Sequence, residues 1–206
     1  MPYVSRPKLP RRLATLVAAS AVALLAVPAA AQAGACPSTP VAKPFKAFGD
    51  NANYSLVSNG GFESGAGGWT LSRAGVVAGN ESYFARAATD TRSLAIASTG
   101  RAVSPAFCVS TEHPTFRFFA KRTSGTWGVL NVAVRWSMDG GPTQQTTVGA
   151  VTSGTAWSPT QSFGLAQVLG LWNDTQTATA QIVLDPEDYG GAWAVDDVYV
   201  DPYTRN

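Results

Sequence analysis

The chain has 206 residues, with 15 lysines and arginines against 13 aspartates and glutamates. Four of the basic residues and none of the acidic ones lie in residues 1–33, which leaves 11 basic against 13 acidic residues in the rest of the chain. That part has no basic run able to neutralise successive phosphates, which excludes nucleic-acid binding driven by backbone charge. The length fits one moderate domain.

Residues 1–33 have the pattern of an export signal. A basic, proline-rich stretch leads into an apolar run, Leu13 to Val27, and small residues follow at Ala31 and Ala33. A signal peptidase needs small residues at these two positions, so we predict a secretory signal removed after Ala33. The apolar run is shorter than the roughly 20 residues that span a bilayer. We therefore expect a secreted protein, extracellular or at the cell surface, with no membrane span in the mature chain.

The chain has two cysteines, Cys36 and Cys108. Two cysteines in an exported protein more often pair than remain free. We therefore predict a disulfide that tethers an N-terminal segment, residues 34–54, to the rest of the domain. Lipid attachment at Cys36 is the alternative, although Ala33 stands where a lipoprotein signal normally has leucine.

From residue 55 onward the sequence predicts strands. Short runs of alternating apolar and polar residues are separated by clusters of Gly, Pro, Asn, Ser and Asp, and no stretch keeps helical spacing over three turns. The predicted strands are 55–57, 69–72, 93–98, 102–109, 115–122, 129–137, 146–151, 178–185 and 192–200. Residues 163–172 are ambiguous between a strand and a helical turn, and Asp139-Gly140 predicts a hairpin. The pattern is typical of an all-β, two-sheet antiparallel β-sandwich over residues 55–206.

Alternation assigns the two faces of three predicted strands. The inward set is Phe116, Phe118, Ala120, Leu130, Val132, Val134, Trp136, Ala178, Ala180, Ile182 and Leu184. The outward set includes Arg117, Phe119, Lys121, Asn131, Arg135 and Gln181. If the three strands are neighbours, the outward side chains form one mixed polar and aromatic surface.

The sequence gives little support to catalysis. The one histidine, His113, lies in a predicted turn, and there is no nucleophile-elbow sequence around which a serine triad could be built. A single histidine and a paired cysteine set leave too few ligands for a zinc-type site. Closely spaced acids such as Asp196 and Asp197 lack the Glu-x-Asp-x-x-Glu pattern of the sandwich-fold glycanases. We expect a protein that is not an enzyme.

Two motifs at opposite ends of the sandwich region resemble a known superfamily. Residues 56–65 read LVSNGGFESG and residues 193–202 read WAVDDVYVDP, with SLAI at 93–96 between them. Together they resemble the opening and closing signatures of the galactose-binding-like jelly rolls, notably the carbohydrate-binding modules of families 4, 9 and 22. The resemblance implies a jelly-roll fold and, for many members, a sugar ligand, although other members bind other ligands.

The resemblance also implies one structural calcium ion, held between Glu63 of the opening motif and Asp196 or Asp197 of the closing strand. A hard cation prefers carboxylate and carbonyl oxygens, so one ion could tie the two ends of the domain together. The alternative is that Glu63 caps a turn while the two aspartates are solvated at a sheet edge.

Sugar binding requires aromatic rings that stack on pyranose faces and planar polar groups that hydrogen-bond hydroxyls. Trp69, Trp136 and Trp193 are predicted core residues. Candidate platforms in loops are Trp127, Trp157, Trp172, Tyr83 and Tyr189, with a half-buried loop anchor as the alternative for each. The predicted ligand-binding set is Arg117, Phe119, Asn131, Arg135, Gln181, Trp127, Trp172 and Tyr83. We expect a glycan-binding module; the alternative is a structural or adhesive cell-envelope protein that binds other proteins.

Overall fold

The computed structural model describes residues 1–2, 36–110, 113, 115–138, 140–152, 154–165, 169–170, 177–187 and 190–201. The chain divides into two compact units, Met1–Ala31 and Gln32–Asn206, and the second contains the sandwich. The predicted export signal and the predicted ring platforms Trp172 and Tyr189 lie outside the described residues. Within the described ranges, no helix is long and apolar enough to cross a membrane.

The second unit is built almost entirely of antiparallel strands. A short 3-10 helix, Lys46–Phe48, precedes them. The strands are β1 (Ser55–Leu56), β2 (Thr70–Ala78), β3 (Arg92–Val103), β4 (Phe107–Ser110), β5 (Thr115–Arg122), β6 (Leu130–Met138), β7 (Gln144–Val151), β8 (Ser158–Pro159), β9 (Phe163–Gly164), β10 (Thr177–Pro186) and β11 (Trp193–Val200).

These strands form one curled sheet whose main path runs β7-β6-β10-β3-β11-β5-β8, with β1, β2, β4 and β9 paired alongside. The long strand β3 serves both halves of the sandwich. Its first half pairs with β11, where Ile96 lies opposite Trp193, and its second half pairs with β10, where Val103 lies opposite Val183. The sheet therefore folds back on itself as two layers, which confirms the predicted all-β sandwich.

The main core lies between the two layers and confirms the predicted alternation. The predicted inward residues of β5, β6 and β10 are buried there, except that Trp136 is only partly buried against the core. Trp69 and Trp193 are 8% and 0% exposed. The alternation of apolar and polar residues therefore predicted correctly which side chains point into the core.

The break between β3 and β4 lies later than predicted: the expected strands were 93–98 and 102–109, whereas β3 runs to Val103 and β4 begins at Phe107. Strand β3 continues past Gly100 through a bulge of its own, in which residues 97–100 face the single β2 residue Arg73, at φ +46°. A Cβ at residue 100 would lie 2.6 Å from the carbonyl oxygen of Arg73. Only glycine lets the bulge approach this closely, so Gly100 marks a bend within a strand and not its end.

Other boundaries differ at short or irregular elements. β2 extends to Ala78, and the predicted β6–β7 hairpin is present as an antiparallel pair. β8 was not predicted because two residues that include a proline carry no alternation. Phe163–Gly164 forms β9, so the ambiguous segment begins as a strand.

The predicted disulfide joins Cys36 to Cys108 of β4, with Cα atoms 5.5 Å apart. The chain after Cys36 returns along the sandwich, where Ala42 and Tyr54 exchange backbone hydrogen bonds of 2.9 and 2.8 Å. Phe45 and Tyr54 are 0% and 2% exposed and pack against outward side chains of β5 and β11. The N-terminal segment therefore covers one outer face of the sandwich.

Candidate functional site

The predicted single binding surface is divided by the strand order. β5 is not a neighbour of β6 or β10, because β11 and β3 lie between β5 and β10. The outward side chains of β5, including Arg117 and Phe119, therefore belong to one outer face, which we name the aromatic face. Those of β6 and β10, including Asn131, Arg135 and Gln181, belong to the other.

On the aromatic face, Arg117 and Phe119 are held under the N-terminal segment. Phe119 is 0% exposed, and its ring stacks on Phe45 at a centroid distance of 5.3 Å. The Arg117 guanidinium lies 4.4 Å from the centre of the Phe45 ring and donates to Asp50 Oδ2 at 2.6 Å and to the carbonyl of Thr160 at 2.9 Å. With its side chain 13% exposed, Arg117 joins the segment to β5 instead of lining an open surface.

Asp50 is the anionic partner in this contact. Burial alone would raise its pKa, but hydrogen bonds from the Tyr54 hydroxyl, the Ala52 backbone N–H and Arg117 outweigh burial and hold the pKa below its ordinary value. Asp50 is therefore a carboxylate at neutral pH, and its bond to Arg117 is charge-assisted.

The opposite face is lined by polar side chains from four strands. Arg135 lies opposite Gln181, Asn131 lies opposite Asp185, and Gln145 of β7 lies opposite Arg135. With Arg101 of β3 added, this surface is named the groove. Its polar residues are Arg101, Asn131, Arg135, Gln145, Gln181 and Asp185, and its floor is Val103, Ala133 and Val183.

One bridge of hydrogen bonds crosses this face. Arg101 donates to Asp185 Oδ2 at 3.1 Å and to Gln145 Oε1 at 2.9 Å. Arg101 is on β3 and Gln145 is on β7, with β10 and β6 between them. Neighbouring strands lie about 4.8 Å apart, so the two strands would be roughly 14 Å apart on a flat sheet. Extended arginine and glutamine side chains together reach about this far, so the bridge crosses both intervening strands.

The floor of the groove is apolar. Val103, Ala133 and Val183 point away from the core, yet they are 4%, 7% and 1% exposed, because neighbouring polar side chains close over them. Gln181 is positioned by a hydrogen bond of 3.0 Å to the carbonyl of Ser104. A narrow apolar strip between planar amide and guanidinium groups can accept both the C–H faces and the hydroxyls of a sugar chain.

The aromatic platforms predicted in loops are found in different environments. Trp127 is 55% exposed in the loop between β5 and β6, and Tyr83 is 48% exposed in the loop between β2 and β3. Trp157 is not a free platform: it is 7% exposed, with the Lys121 ammonium 4.8 Å from its ring centre. In the described part of the groove, no aromatic side chain lines the floor.

Glu63 of the opening motif hydrogen-bonds the chain at the start of β3. Its carboxylate accepts hydrogen bonds from the backbone N–H groups of Thr91 and Arg92 at 2.9 and 2.8 Å, at the start of β3. The slight burial of Glu63 would raise its pKa, but these bonds outweigh it and lower the pKa. The opening motif is thereby joined to β3.

The two aspartates of the closing motif are buried and not solvated. Asp196 is 0% exposed and accepts hydrogen bonds from the backbone N–H groups of Glu81 at 3.0 Å and Asp197 at 2.9 Å. Asp197 is 1% exposed, lies at a β-bulge with φ +49°, and has no hydrogen-bond partner for either carboxylate oxygen among the described residues. Asp197 is therefore a buried carboxylate with a left-handed backbone and no close hydrogen bond to its side chain, and such groups are uncommon in folded proteins.

Glu81 and Asp90 complete this acidic cluster, at 0% and 5% exposed. The Arg86 guanidinium contacts Asp90 Oδ1 at 2.6 Å and Asp197 Oδ1 at 3.7 Å. Burial, reinforced by the charge of Asp197, raises the pKa of Asp196 to about 8. Burial, reinforced by Glu81 and opposed by Arg86, raises the pKa of Asp197 to about 7. The four carboxylates therefore carry more potential negative charge than Arg86 balances.

The cluster offers carboxylate oxygens, the donor type that a hard cation prefers. In the described part of the chain, no group of three or more His, Cys, Asp or Glu side chains is placed so that it could hold a metal ion. Among the four carboxylates, Asp197 has two buried oxygens without a hydrogen bond and Asp90 has one.

Sequence reasoning missed residues in both regions. Arg101, Gln145 and Asp185 could have been found by extending the outward alternation to β3, β7 and the end of β10. Glu81 and Asp90 carried no such signal, because they lie in an irregular loop and are buried only by contact with β11.

Comparison with known proteins finds the fold but no close relative. No protein-family model and no curated protein matches the chain. A tandem of two family 22 carbohydrate-binding modules from Paenibacillus barcinonensis superposes with a TM-score of 0.52 and 16% identity over 81% of this chain and 48% of that one. A single xylan-binding family 22 module from the same organism gives 0.49 and 16% over 71% and 93%.

A family 11 carbohydrate-binding module of a Clostridium thermocellum cellulosomal cellulase gives a TM-score of 0.44 and 10% identity over 72% of this chain and 94% of that one. At these identities the comparisons show a shared fold. They confirm the expected resemblance to jelly-roll carbohydrate-binding modules.

Proposed function

We propose that the mature chain is a non-catalytic module that binds a glycan in the groove. The observation that carries this proposal is the bridge from Arg101 to Asp185 and Gln145, since it brings planar polar groups from three strands over one apolar strip. These groups hydrogen-bond one another in the free protein and would exchange those partners for sugar hydroxyls. The fold shared with carbohydrate-binding modules supports a glycan as the ligand class.

The proposed ligand-binding residues are those that the fold leaves on this face. Asn131, Arg135 and Gln181 remain in the set, and Arg101 and Gln145 join it. Arg117 and Phe119 leave it because they are covered by the N-terminal segment. Trp127, half exposed and three residues before β6, is proposed as the ring that stacks on a sugar at the end of the groove.

The test is affinity electrophoresis of the folded chain in gels that contain soluble xylan, mixed-linkage glucan or galactan. We expect retardation by at least one polymer and a loss of affinity of about tenfold or more in Arg135→Ala, because a buried or bridging hydrogen bond to a charged group contributes about 1.5–3 kcal/mol. Lys43→Ala, an exposed basic residue on the N-terminal segment, is the control and should bind normally. Absence of retardation by every polymer would overturn the proposal.

A protein ligand is the second candidate, and one observation favours it. The exposed ring of Trp127 lies in a different loop from those of Tyr83 and Phe84, and none of the three lines the groove floor; such a scattered arrangement is expected for a structural or adhesive envelope protein. This function would be supported if polymers failed to retard the chain while a partner protein bound the wild type and not Trp127→Ala. The disulfide suits an oxidising compartment, so either function is proposed for a secreted or cell-surface protein.

We also infer that the acidic cluster holds one structural calcium ion, with Asp197 as its main ligand. A divalent cation there would neutralise charge that Arg86 leaves unbalanced and would tie the loop before β3 to β11. EDTA should lower the Tm, and Asp197→Asn should abolish that difference. An unchanged melting curve would mean that Arg86 alone serves as the counter-ion.

Glu63→Gln distinguishes the two roles considered for Glu63. If Glu63 were a calcium ligand, this variant would melt at the same temperature with and without EDTA. As a cap of β3, it should lower the Tm by a similar amount in both conditions and leave the EDTA effect intact.

A further inference from the structure

Two adjacent aromatic rings are exposed in the loop between β2 and β3. Tyr83 is 48% exposed and Phe84 is 49% exposed. They lie in the turn formed by residues 81–85, which we name the aromatic turn. Together they form a small exposed apolar surface beside the aromatic face.

A buried carboxylate fixes the shape of this turn. Glu81 is 0% exposed, and its two side-chain oxygens accept hydrogen bonds from the backbone N–H groups of Tyr83 and Ala85, on either side of Phe84. The Glu81 backbone N–H in turn donates to Asp196 of β11 at 3.0 Å. The turn is therefore anchored to the sandwich, and Phe84 stands at its apex.

The two rings differ in what holds them. Tyr83 packs edge-on against Phe48 at 4.8 Å, lies 5.8 Å from Phe119, and donates its hydroxyl to the carbonyl of Trp157 at 3.1 Å. Phe84 has φ +50° and makes no ring contact within the described part of the chain. A fixed tyrosine thus stands beside a phenylalanine that a left-handed backbone turns toward solvent, a conformation that bulky residues rarely adopt.

The aromatic turn lies on the aromatic face, because Tyr83 packs on Phe119 of β5 and bonds the Trp157 carbonyl beside it. The groove is on the outer side of β6 and β10, which belong to the other layer. A ligand bound at the turn would therefore not share contacts with one bound in the groove.

We propose that the aromatic turn is a second carbohydrate-binding site, in which Tyr83 and Phe84 take the apolar face of one pyranose ring. The size of the ring pair favours a sugar over a protein. An aromatic side chain buries about 150–250 Å² when fully covered, so two half-exposed rings offer about 200 Å², whereas a stable protein interface needs at least about 1,000 Å². This inference rests on the proposed function for its ligand class and adds a site that the groove does not supply.

Two sites on opposite faces have a consequence that one site lacks. A single molecule could hold two polysaccharide chains, or two segments of one chain, and linked binding events raise the apparent affinity for a polymer well above that for a short oligosaccharide. The native protein should therefore cross-link a soluble polymer and increase its turbidity or sedimentation.

The test compares Phe84→Asn, Phe84→Trp and the wild type by affinity electrophoresis and turbidity with the polymer that the wild type binds. Asparagine tolerates the left-handed backbone, so Phe84→Asn removes the ring without refolding the turn. We expect it to lose cross-linking and to bind the polymer about tenfold more weakly with an unchanged Tm. Phe84→Trp should retain both properties. Val77→Ala, at an apolar residue of similar exposure, is the control and should behave as the wild type.

The outcomes separate this inference from the proposed function. If Phe84→Asn binds and cross-links normally while Arg135→Ala binds weakly, the second site is wrong and the groove stands. If the wild type binds no polymer, both proposals are overturned. If Phe84→Asn instead abolishes self-association of the wild type in gel filtration and leaves polymer binding unchanged, the rings contact a second copy of the chain, and the sugar site is wrong.

Discussion

The groove and the aromatic face are outer faces of one sandwich, yet their outward side chains are held in different ways. In the groove, polar residues from three strands bond to one another across a small apolar floor and remain partly exposed. On the aromatic face, a chain segment distant in sequence covers β5, so that Phe119 is fully buried and Arg117 nearly so. Alternation gives both faces the same outward orientation, whereas long-range packing decides which one stays open.

This difference assigns separate roles to two arginines that look alike in sequence. Arg101 is 39% exposed and bonds to an aspartate that is 45% exposed, while Arg117 is 13% exposed and bonds to one that is 24% exposed. The first contact is screened by water and free to exchange partners, and the second is structural. Experiments that weaken one face and leave the other intact are the direct test.

Removing the disulfide should have the largest effect on stability. The double variant Cys36→Ser with Cys108→Ser releases a closed loop with a sequence separation of 72 residues, and the chain-entropy model gives an upper bound of about 4 kcal/mol for the loss in unfolding free energy. Urea denaturation measures this loss. Because the bond holds the segment over the aromatic face, groove affinity at low urea should be retained; loss of groove binding before unfolding would contradict the separation of the two faces.

Arg117→Ala should follow, with a loss of about 3 kcal/mol. The change leaves Asp50 partly buried without its cation and removes the contact with the Phe45 ring. Thermal and urea unfolding measure the loss, and polymer retardation should be unchanged. Weaker polymer binding with unchanged stability would place Arg117 in the binding site after all.

pH should affect the acidic cluster and leave the groove unchanged. Burial raises the pKa of Asp196 to about 8 and that of Asp197 to about 7, above their value in the unfolded chain. The folded protein therefore binds more protons than the unfolded one between about pH 4 and 8, and stability falls as pH rises through that window. The Tm in EDTA should drop by several degrees from pH 5 to pH 8.

In Asp197→Asn, the Tm should fall less between pH 5 and pH 8 than in the wild type. If the cluster binds calcium, saturating calcium should reduce the fall in the wild type as well. A Tm that rises with pH in EDTA would show that the two aspartates are ionised in the folded protein.

Arg101→Ala should have the smallest effect on stability, below about 1 kcal/mol, because its ion pair is exposed. Its effect on the groove should be larger, since the bridge to Gln145 covers the valine and alanine floor. Affinity electrophoresis measures this effect, and an unchanged Tm of the variant shows that the effect is not caused by unfolding. Normal polymer binding in Arg101→Ala would show that the bridge does not belong to the binding surface.

Local patterns predicted a large share of the fold. The bounds of β5 agree with the prediction, the inward residues of β6 and β10 are those that alternation indicates, and the disulfide joins the two cysteines expected. These features depend on neighbouring residues or on a choice among very few partners. The outward orientation of Asn131, Arg135 and Gln181 was also predictable, because it follows from the alternation of side chains along a single strand.

The candidate sites were less predictable because they depend on contacts between distant segments. Nothing near Phe119 in sequence shows that Phe45 will cover it, and nothing near Glu81 shows that β11 will bury it. Glu63 belongs to the motif shared with the jelly rolls, yet its hydrogen bonds to the start of β3 are set by how that strand meets the opening turn. The order of the strands in the sheet cannot be read from alternation. It places the polar side chains of β6 and β10 on one outer face and Phe119 of β5 on the other.

The bend of β3 at Gly100 bears on how such a protein could change ligands. The strand β3 passes from one layer to the other at its bulge opposite Arg73, outside the polar strip itself. Substitutions along the strip would alter which hydroxyls are recognised while its breadth stays the same. Related proteins that differ only in these side chains would bind different sugar polymers of similar cross-section. Binding a bulkier, branched polymer would require a change of the backbone at Gly100, which the sugar does not touch.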